Sequence, residues 1–372
     1  MQIVAEMWLV LRLTNSGVAV GATSALQFAP ILLFGAFGGL LADRLPKRGL
    51  LMATQAVMAL PALALWVLTA SGIVELWMVL ALVFARGMVN AVDNPTRQSF
   101  VIEMVGGERV MNAVSLNSVV VHSARIVGPA LAGLVIATWG VEPCFLLNAL
   151  TFLAMIAALW RMNPAELVPA PRSNREPGAL RAALRYVRGT PELAIPLGLM
   201  AVVGTLTLNF QVLLPLMARF TFDGGASSYS TLVSVMGAGA VVGALVAGTR
   251  TRVSGGLLVG ASAWLGALTL ALAAAPTYAL AVAALVPLGA ASVTFAASVN
   301  SALQLHVEPA MRGRVMALYS MVFLGSTPIG GPLVGWLAQA AGPRASLALG
   351  GGAALLAGLA GRRAFARSPA AG

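Results

Sequence analysis

Charge is what this chain has least of. Asp, Glu, Lys and Arg make up 9% of its 372 residues, against about a quarter in an ordinary soluble domain. So few charges cannot cover the water-facing surface of one or two soluble domains, and that class is excluded. Cysteine is nearly missing: Cys144 stands alone, which excludes an intramolecular disulfide and a cysteine-built metal centre. The two histidines, His122 and His306, are far apart, with no second ligand at metal-binding spacing beside either. Acids are the scarcer charge, 12 against 23 bases, leaving a net +11. That excess does not point to nucleic acid, because the cations are spread through short gaps between apolar runs instead of crowding one polar surface. The opening "MQIVAEMWLVLRL" has no basic flank and no A-x-A site, and does not read as a signal peptide.

What is present is apolar. The set AVILMFWYC fills 59% of the chain and the mean hydropathy is +0.89. A membrane span needs about 20 mostly apolar residues. By that measure the sequence predicts a short first segment, Met1–Leu13, and full spans over Val18–Ala42, Leu50–Ala70, Leu76–Pro95, Ala113–Trp139 and Pro143–Met162. Further spans follow over Leu193–Phe220, Tyr229–Gly248, Gly255–Ala275, Tyr278–Val307, Arg314–Ala340 and Ala345–Gly361. The fold class is therefore all-α, a polytopic membrane protein. In the gaps, only Arg12, Arg219 and Arg344 fall on one side. Arg86 and Arg125 lie inside spans, and every other Lys and Arg falls on the opposite side. Cations mark the cytoplasmic face, so the C-terminus is expected there.

The one sizeable polar gap runs from Asn163 to Leu193. Its first half is Pro-rich. Its second half suits a helix with Arg181, Arg185 and Arg188 on one face and Leu180, Leu184 and Val187 on another. Two readings stay open: a helix lying among anionic headgroups, or a solvated connector. Around this gap the chain repeats itself. Gly39 and Arg48 recur as Gly243 and Arg252, "RVMNAV" at Arg109 as "RVMALY" at Arg314, and "IVGPALAG" at Ile126 as "IGGPLVG" at Ile329, all near an offset of 204. The domains are therefore residues 1–162, a linker 163–192, and 193–372. Two parallel repeats are a known plan of secondary transporters. By the same offset the first helix lacks its cytoplasmic half, and codons for that half are expected ahead of Met1.

The gap "GGLLADRLPKR", Gly38 to Arg48, resembles motif A of the major facilitator superfamily: Gly39, Asp43, Arg44, Lys47 and Arg48 fit, with Pro46 where the family has Gly. "GPALAG", from Gly128 through Pro129 to Gly133, resembles the antiporter motif C, with Ala132 in place of one Gly. "LVFAR", Leu82 to Arg86, resembles the start of motif B. The run from Asp93 to Ala154 is similar to the drug:proton antiporter branch that includes enterobactin exporters and macrolide efflux proteins. The resemblance implies a fold of two six-helix bundles, the first helix here being truncated, and a proton-driven exporter of a drug-like or siderophore-like molecule, not an enzyme. It implies a monomer in a bacterial cytoplasmic (inner) membrane, whose partners are a small-molecule substrate, protons and the lipid bilayer, with no nucleic acid. No cofactor is expected beyond the proton gradient, and no metal. A lipid or lysolipid flippase of the same fold is the alternative, and a non-transporting or decayed membrane protein a third reading. Within motif A, the resemblance implies that Asp43 faces the positive N-terminus of the eleventh span, near Arg314, and clamps the cytoplasmic side shut. Ala247 stands at the matching place in the second half.

Ionisable groups inside spans are costly and mark function by default. Glu6 lies six residues before Arg12, about 9 Å below the outer end at about 1.5 Å per residue. Arg86 lies ten residues into its span, about 15 Å from the same side, and a guanidinium can bridge the difference. Glu6, Arg86, Asp93 and Arg125 are the proton-coupling candidates, with His122 one turn from Arg125 as a packing residue and Asp93 a partner for Arg97. The second half carries no charge well inside a span. Asn209, Gln211, Asn300 and Gln304 are its candidate cavity groups.

The cation pattern makes a direct prediction. A reporter active only outside the membrane, fused after Arg188 or after Arg367, stays inactive in cells. Activity at either point overturns the assigned sidedness.

Overall fold

The computed structural model describes residues 1–105, 110–168, 179–248, 255–308 and 311–366, with the backbone alone over most of 110–126. Everything regular among them is helical. Helix α1 spans Gln2–Thr14, α2 Gly17–Arg44, α3 Lys47–Ala70, α4 Leu76–Val105, α5 Val110–Trp139 and α6 Glu142–Arg161. After a single 3₁₀ turn, Pro164–Glu166, come α7 Ala179–Gly189, α8 Pro191–Leu206, α9 Phe210–Leu216, α10 Ala226–Gly248, α11 Gly255–Ala274, α12 Tyr278–His306, α13 Arg312–Ala341 and α14 Pro343–Ala366. Ten helical stretches among the described residues are long and apolar enough to cross a membrane, α8 and α9 counting together, and Val127–Trp139 of α5 adds a shorter apolar helix. Helix α1 has 13 residues and is about 20 Å long, short of the hydrocarbon thickness.

Tight reversals separate the helices where the backbone leaves right-handed space. Asn15 closes α1 at φ 47°, its N–H bonding Leu11 O at 2.8 Å. Gly72, Gly140 and Gly342 take φ of 75°, 90° and 89°, cheap only without a Cβ. Prolines persist inside α2, α3, α4, α5, α12 and α13, as membrane helices allow. One of them corrects a boundary: α4 continues through Pro95 to Val105 where the sequence suggested an end. Ser99 Oγ donates to the Pro95 carbonyl at 2.9 Å and Thr96 Oγ1 to that of Val92 at 2.7 Å.

The chain forms two compact units. The first holds residues 1–15 and 25–174, the second 16–24 and 175–372. In the first, α3 packs on α4 and α6, and α1 on α4, α5 and α6. In the second, α10 packs on α12 and α11 on α14. The duplication reappears in these contacts. A Cβ on Gly38 would strike the Ala91 carbonyl on α4, and one on Gly87 would lie 2.8 Å from the Gln27 carbonyl. In the second unit a Cβ on Gly243 would strike Ala290, and one on Gly289 the Met236 carbonyl. Each unit thus joins its equivalent helix pair backbone to backbone at glycines.

Two features depart from the sequence expectation. The span expected over Leu193–Phe220 is broken. Helix α8 ends at Leu206, α9 begins at Phe210, and a π-turn, Met217–Thr221, closes the segment. The Asn209 amide donates to the Gly204 and Thr205 carbonyls at 3.2 and 2.7 Å, standing in for missing backbone donors. Thr207 Oγ1 donates to Gly350 O of α14 at 2.8 Å. An unwound turn survives in hydrocarbon only when satisfied this way. In α7, Ala183 and Val187 are buried, packed toward α8 and α13, while Arg181, Arg185 and Arg188 are exposed. Of its apolar side, Val187 is buried and Leu184 half-buried.

Gly38→Val has no room to be absorbed, because its neighbour is backbone. Overpacking of this kind costs about 1–3 kcal/mol or more. Thermal unfolding in detergent should show a clear loss of stability for Gly38→Val. The exposed α3 residue Gly49, with nothing near its Cβ position, should accept Ala with no loss. A neutral Gly38→Val overturns the close crossing.

Candidate functional site

Gln2 and Glu6 stand one turn apart on α1, so their side chains meet on one face. Helix α1 lies against α4, α5 and α6, and two of these supply the rest of the site. Arg86 of α4 donates from Nη2 to Glu6 Oε2 at 2.6 Å. Gln2 donates from Nε2 to Glu6 Oε1 at 2.7 Å, and Asn148 of α6 donates in turn to Gln2 Oε1. A carboxylate only accepts, so the Gln2 amide nitrogen must face Glu6, and its oxygen is then free for Asn148. Glu6 is fully buried, while the Arg86 side chain keeps 13% of its exposure. Arg86 Nε is also buried, with no partner among the described residues. Glu6 and Arg86, matched by helix rise, are thus brought together. Gln2 and Asn148 were not anticipated. The four-residue spacing of Gln2 and Glu6 was the available signal for one, and the sequence holds none for the other.

A second buried carboxylate follows on α4. Asp93 Oδ1 accepts from Thr54 Oγ1 at 2.7 Å and from Gln55 Nε2 at 2.8 Å, both on α3. Arg97 Nη2 donates to Oδ2 at 2.5 Å from one turn along α4, its side chain half exposed. With all these donors satisfied, the arrangement is a fastener between α3 and α4. At the same end of the unit, Lys47 pairs with Glu103 of α4. Arg48 donates to the Leu159 and Trp160 carbonyls at 2.7 and 2.8 Å, meeting the negative C-terminal end of α6. Gly39 is buried, Arg44 exposed and Asp43 half-buried at the end of α2. Among the described residues of its own unit the Asp43 side chain makes no hydrogen bond.

Gly128 is half-buried and Pro129 and Gly133 are buried in α5. The side chains of His122 and Arg125 lie outside the described residues, as do Arg250 and Arg252. In the second unit Asn209 is buried at the helix break, its amide nitrogen used there and its Oδ1 unpartnered. Gln211 donates to Ser24 Oγ at 2.6 Å. Gln304 donates to Asn300 Oδ1 at 2.5 Å along α12. No group of three or more His, Cys, Asp or Glu suited to a metal occurs among the described residues.

Comparison with known proteins agrees with this architecture. The family model described as transmembrane secretion effector matches residues 1–369, and the chain belongs to that family of major facilitator proteins. It is 26% identical over 245 residues to the staphyloferrin A transporter of Staphylococcus aureus (strain NCTC 8325 / PS 47), covering 64% of this chain and 60% of that protein. To macrolide efflux protein A of Streptococcus pyogenes it is 23% identical over 250 residues, covering 63% and 58%. The chain thus spans less than two thirds of the length of these curated relatives. The crystal structure of the nucleoside transporter NupG superposes with a TM-score of 0.75 at 13% identity, covering 99% of this chain and 97% of that one. The fold is the major facilitator fold.

Removing the Asp93 carboxylate leaves Gln55 and Arg97 without their acceptor. Asp93→Ala should lower stability by about 1–3 kcal/mol, the usual cost of stranding buried donors, read as a fall in the apparent Tm in detergent. Asp93→Asn keeps an acceptor and should lose less. An unchanged Tm for Asp93→Ala removes the fastener role.

Proposed function

We propose that this protein is a secondary active transporter that exports a small molecule from the bacterial cytoplasm in exchange for protons, with Glu6 and Arg86 as the coupling pair. The observation that carries the reading is a fully buried carboxylate joined to a cation on another helix of a membrane bundle. Unpaired, either charge would cost several kcal/mol in the apolar interior. The pair therefore has two affordable states. Closed, Glu6 is ionised and compensated by Arg86. Opened by alternating access, Glu6 takes a proton instead of standing as a bare anion. Binding and release of that proton on opposite sides of the membrane supply the energy, and no other cofactor is needed.

Family membership and the two curated relatives, one named for a siderophore and one for macrolides, support export of a small molecule. The cation pattern supports a cytoplasmic C-terminus. Asp43 is proposed as the motif A gate residue, in accord with its half-buried, uncommitted carboxylate. Lys47 and Arg48 have a more local duty, holding α3 to α4 and α6. The Asp93 cluster is assigned to structure, since its carboxylate is tied by donors from two helices.

The full chain in proteoliposomes tests the reading, with cargo identified by counterflow. Wild type should move cargo uphill under an imposed pH gradient, with matching proton flux. Glu6→Gln, which mimics the protonated state and can still pair with Gln2, should exchange cargo for cargo yet show no pH-driven accumulation. Glu6→Gln transport that still follows the pH gradient removes Glu6 from the coupling step.

A further inference from the structure

Helix α7 stands where the charges of the second unit collect. Arg181, Arg185 and Arg188 recur at four- and three-residue spacing, so they share one side of the helix. Ala183 and Val187, on the other side, are buried. Thr190 alone separates α7 from α8. The Glu308 N–H donates to Tyr186 Oη of α7 at 3.4 Å, which brings the approach to α13 and its first residue, Arg312, alongside. A Cβ on Gly361 of α14 would lie 3.6 Å from Ile195 near the start of α8, and Arg362 and Arg363 follow Gly361 directly. Arg181, Arg185, Arg188, Arg312, Arg362 and Arg363 are all exposed. None has a hydrogen-bond or ion-pair partner among the described residues. The described acids at this end are Glu192 and Glu308, too few to balance them.

The helices that carry these cations decide what meets them. Helix α8 with α9, α13 and α14 are each long and apolar enough to cross a membrane. On α14, Leu356 and Leu359 are 69% and 55% exposed, and Arg363 continues the same face one turn later. An exposed apolar face that ends in bare cations follows the order of a phospholipid, tails first and phosphate next. We propose that this end of the second unit binds anionic phospholipid headgroups, with α7 lying among them and not in free water. A lipid phosphate accepts charge-assisted hydrogen bonds from guanidinium groups, and a headgroup with net negative charge also relieves the repulsion among the arginines. Since α7 runs into α8 and packs on α13, lipid held there steadies the starts of two spans. None of this depends on the Glu6–Arg86 pair.

Native mass spectrometry of the purified full chain in detergent tests this, with phosphatidylglycerol and phosphatidylcholine titrated in separate runs. Wild type should retain phosphatidylglycerol about tenfold better or more, and that lipid should raise the apparent Tm where phosphatidylcholine does not. Each arginine near an anionic headgroup layer is worth about fivefold in binding. Arg181→Gln, Arg185→Gln and Arg188→Gln together should therefore weaken phosphatidylglycerol by about a hundredfold and leave phosphatidylcholine unchanged. Lys at the same three positions should keep most of the preference, because net charge carries it. Arg219→Gln, an exposed arginine in the π-turn at the other end of the unit, should change nothing. If the lipid-free Tm of the triple Gln variant falls, Arg362→Gln with Arg363→Gln takes its place, with an expected loss of about twenty-five-fold. Parallel losses of both lipids, or an equal loss in Arg219→Gln, overturn the inference. Displacement of phosphatidylglycerol by equimolar inorganic phosphate makes the patch a free-anion site, and displacement by polyuridylate makes it a nucleic-acid surface; either result overturns it too.

Discussion

A charge placed in hydrocarbon must find its counter-charge within the protein. That constraint organises the first unit. Glu6 has no water, so its position requires Arg86 on α4, and the orientation of its free oxygen requires Gln2 and, through it, Asn148 on α6. This polar chain ties helix α1 to two of its three neighbours. The same rule recurs along α4, where Asp93 draws on α3 and Glu103 meets Lys47. Three acidic side chains thus fasten α4 to its surroundings, and beside Glu6 the buried Arg86 Nε finds no partner among the described residues.

The second unit meets the same solvent by a different route. Several of its polar side chains serve the backbone. Asn209 and Thr207 bond across the unwound turn between α8 and α9, and Ser262 donates to the Ala354 carbonyl at 2.9 Å. The glycine crossings of α2 with α4 and of α10 with α12 are the common inheritance of both halves. Both halves keep the glycine packing, while the ion pairs described above lie in the first. The proton exchange proposed for this protein accordingly draws on the first half, where Glu6 and Arg86 pair.

Much of the site was legible before any coordinates. Helix rise converts residue number into depth, so Glu6 and Arg86 could be matched along the membrane normal. Rotation about a helix axis is not contained in that number. Asn148 is therefore invisible from sequence, because nothing in α6 says which face turns toward α1. Asp93 read as a group near the boundary, and its partners Thr54 and Gln55 depended on how α3 lies against α4. Asn209 read as a cavity group. Its amide nitrogen went to the backbone because the span unwinds there, and no proline or glycine at 207–209 announced the break.

The sequence by itself determined the quantities that run along the chain: the apolar lengths, the positions of the short gaps, the duplication near an offset of 204 and the depth of each intramembrane charge. These follow from the solvent, since a bilayer sorts residues by their position along one axis. Tertiary structure alone decided which charges pair, that Glu6 is restrained by Gln2 and Asn148, that Arg86 Nε finds no partner among the described residues, and that α7 buries Val187. Those outcomes depend on which helix faces meet, and side-chain bonds only a few ångströms long are made or lost by a small rotation of either helix.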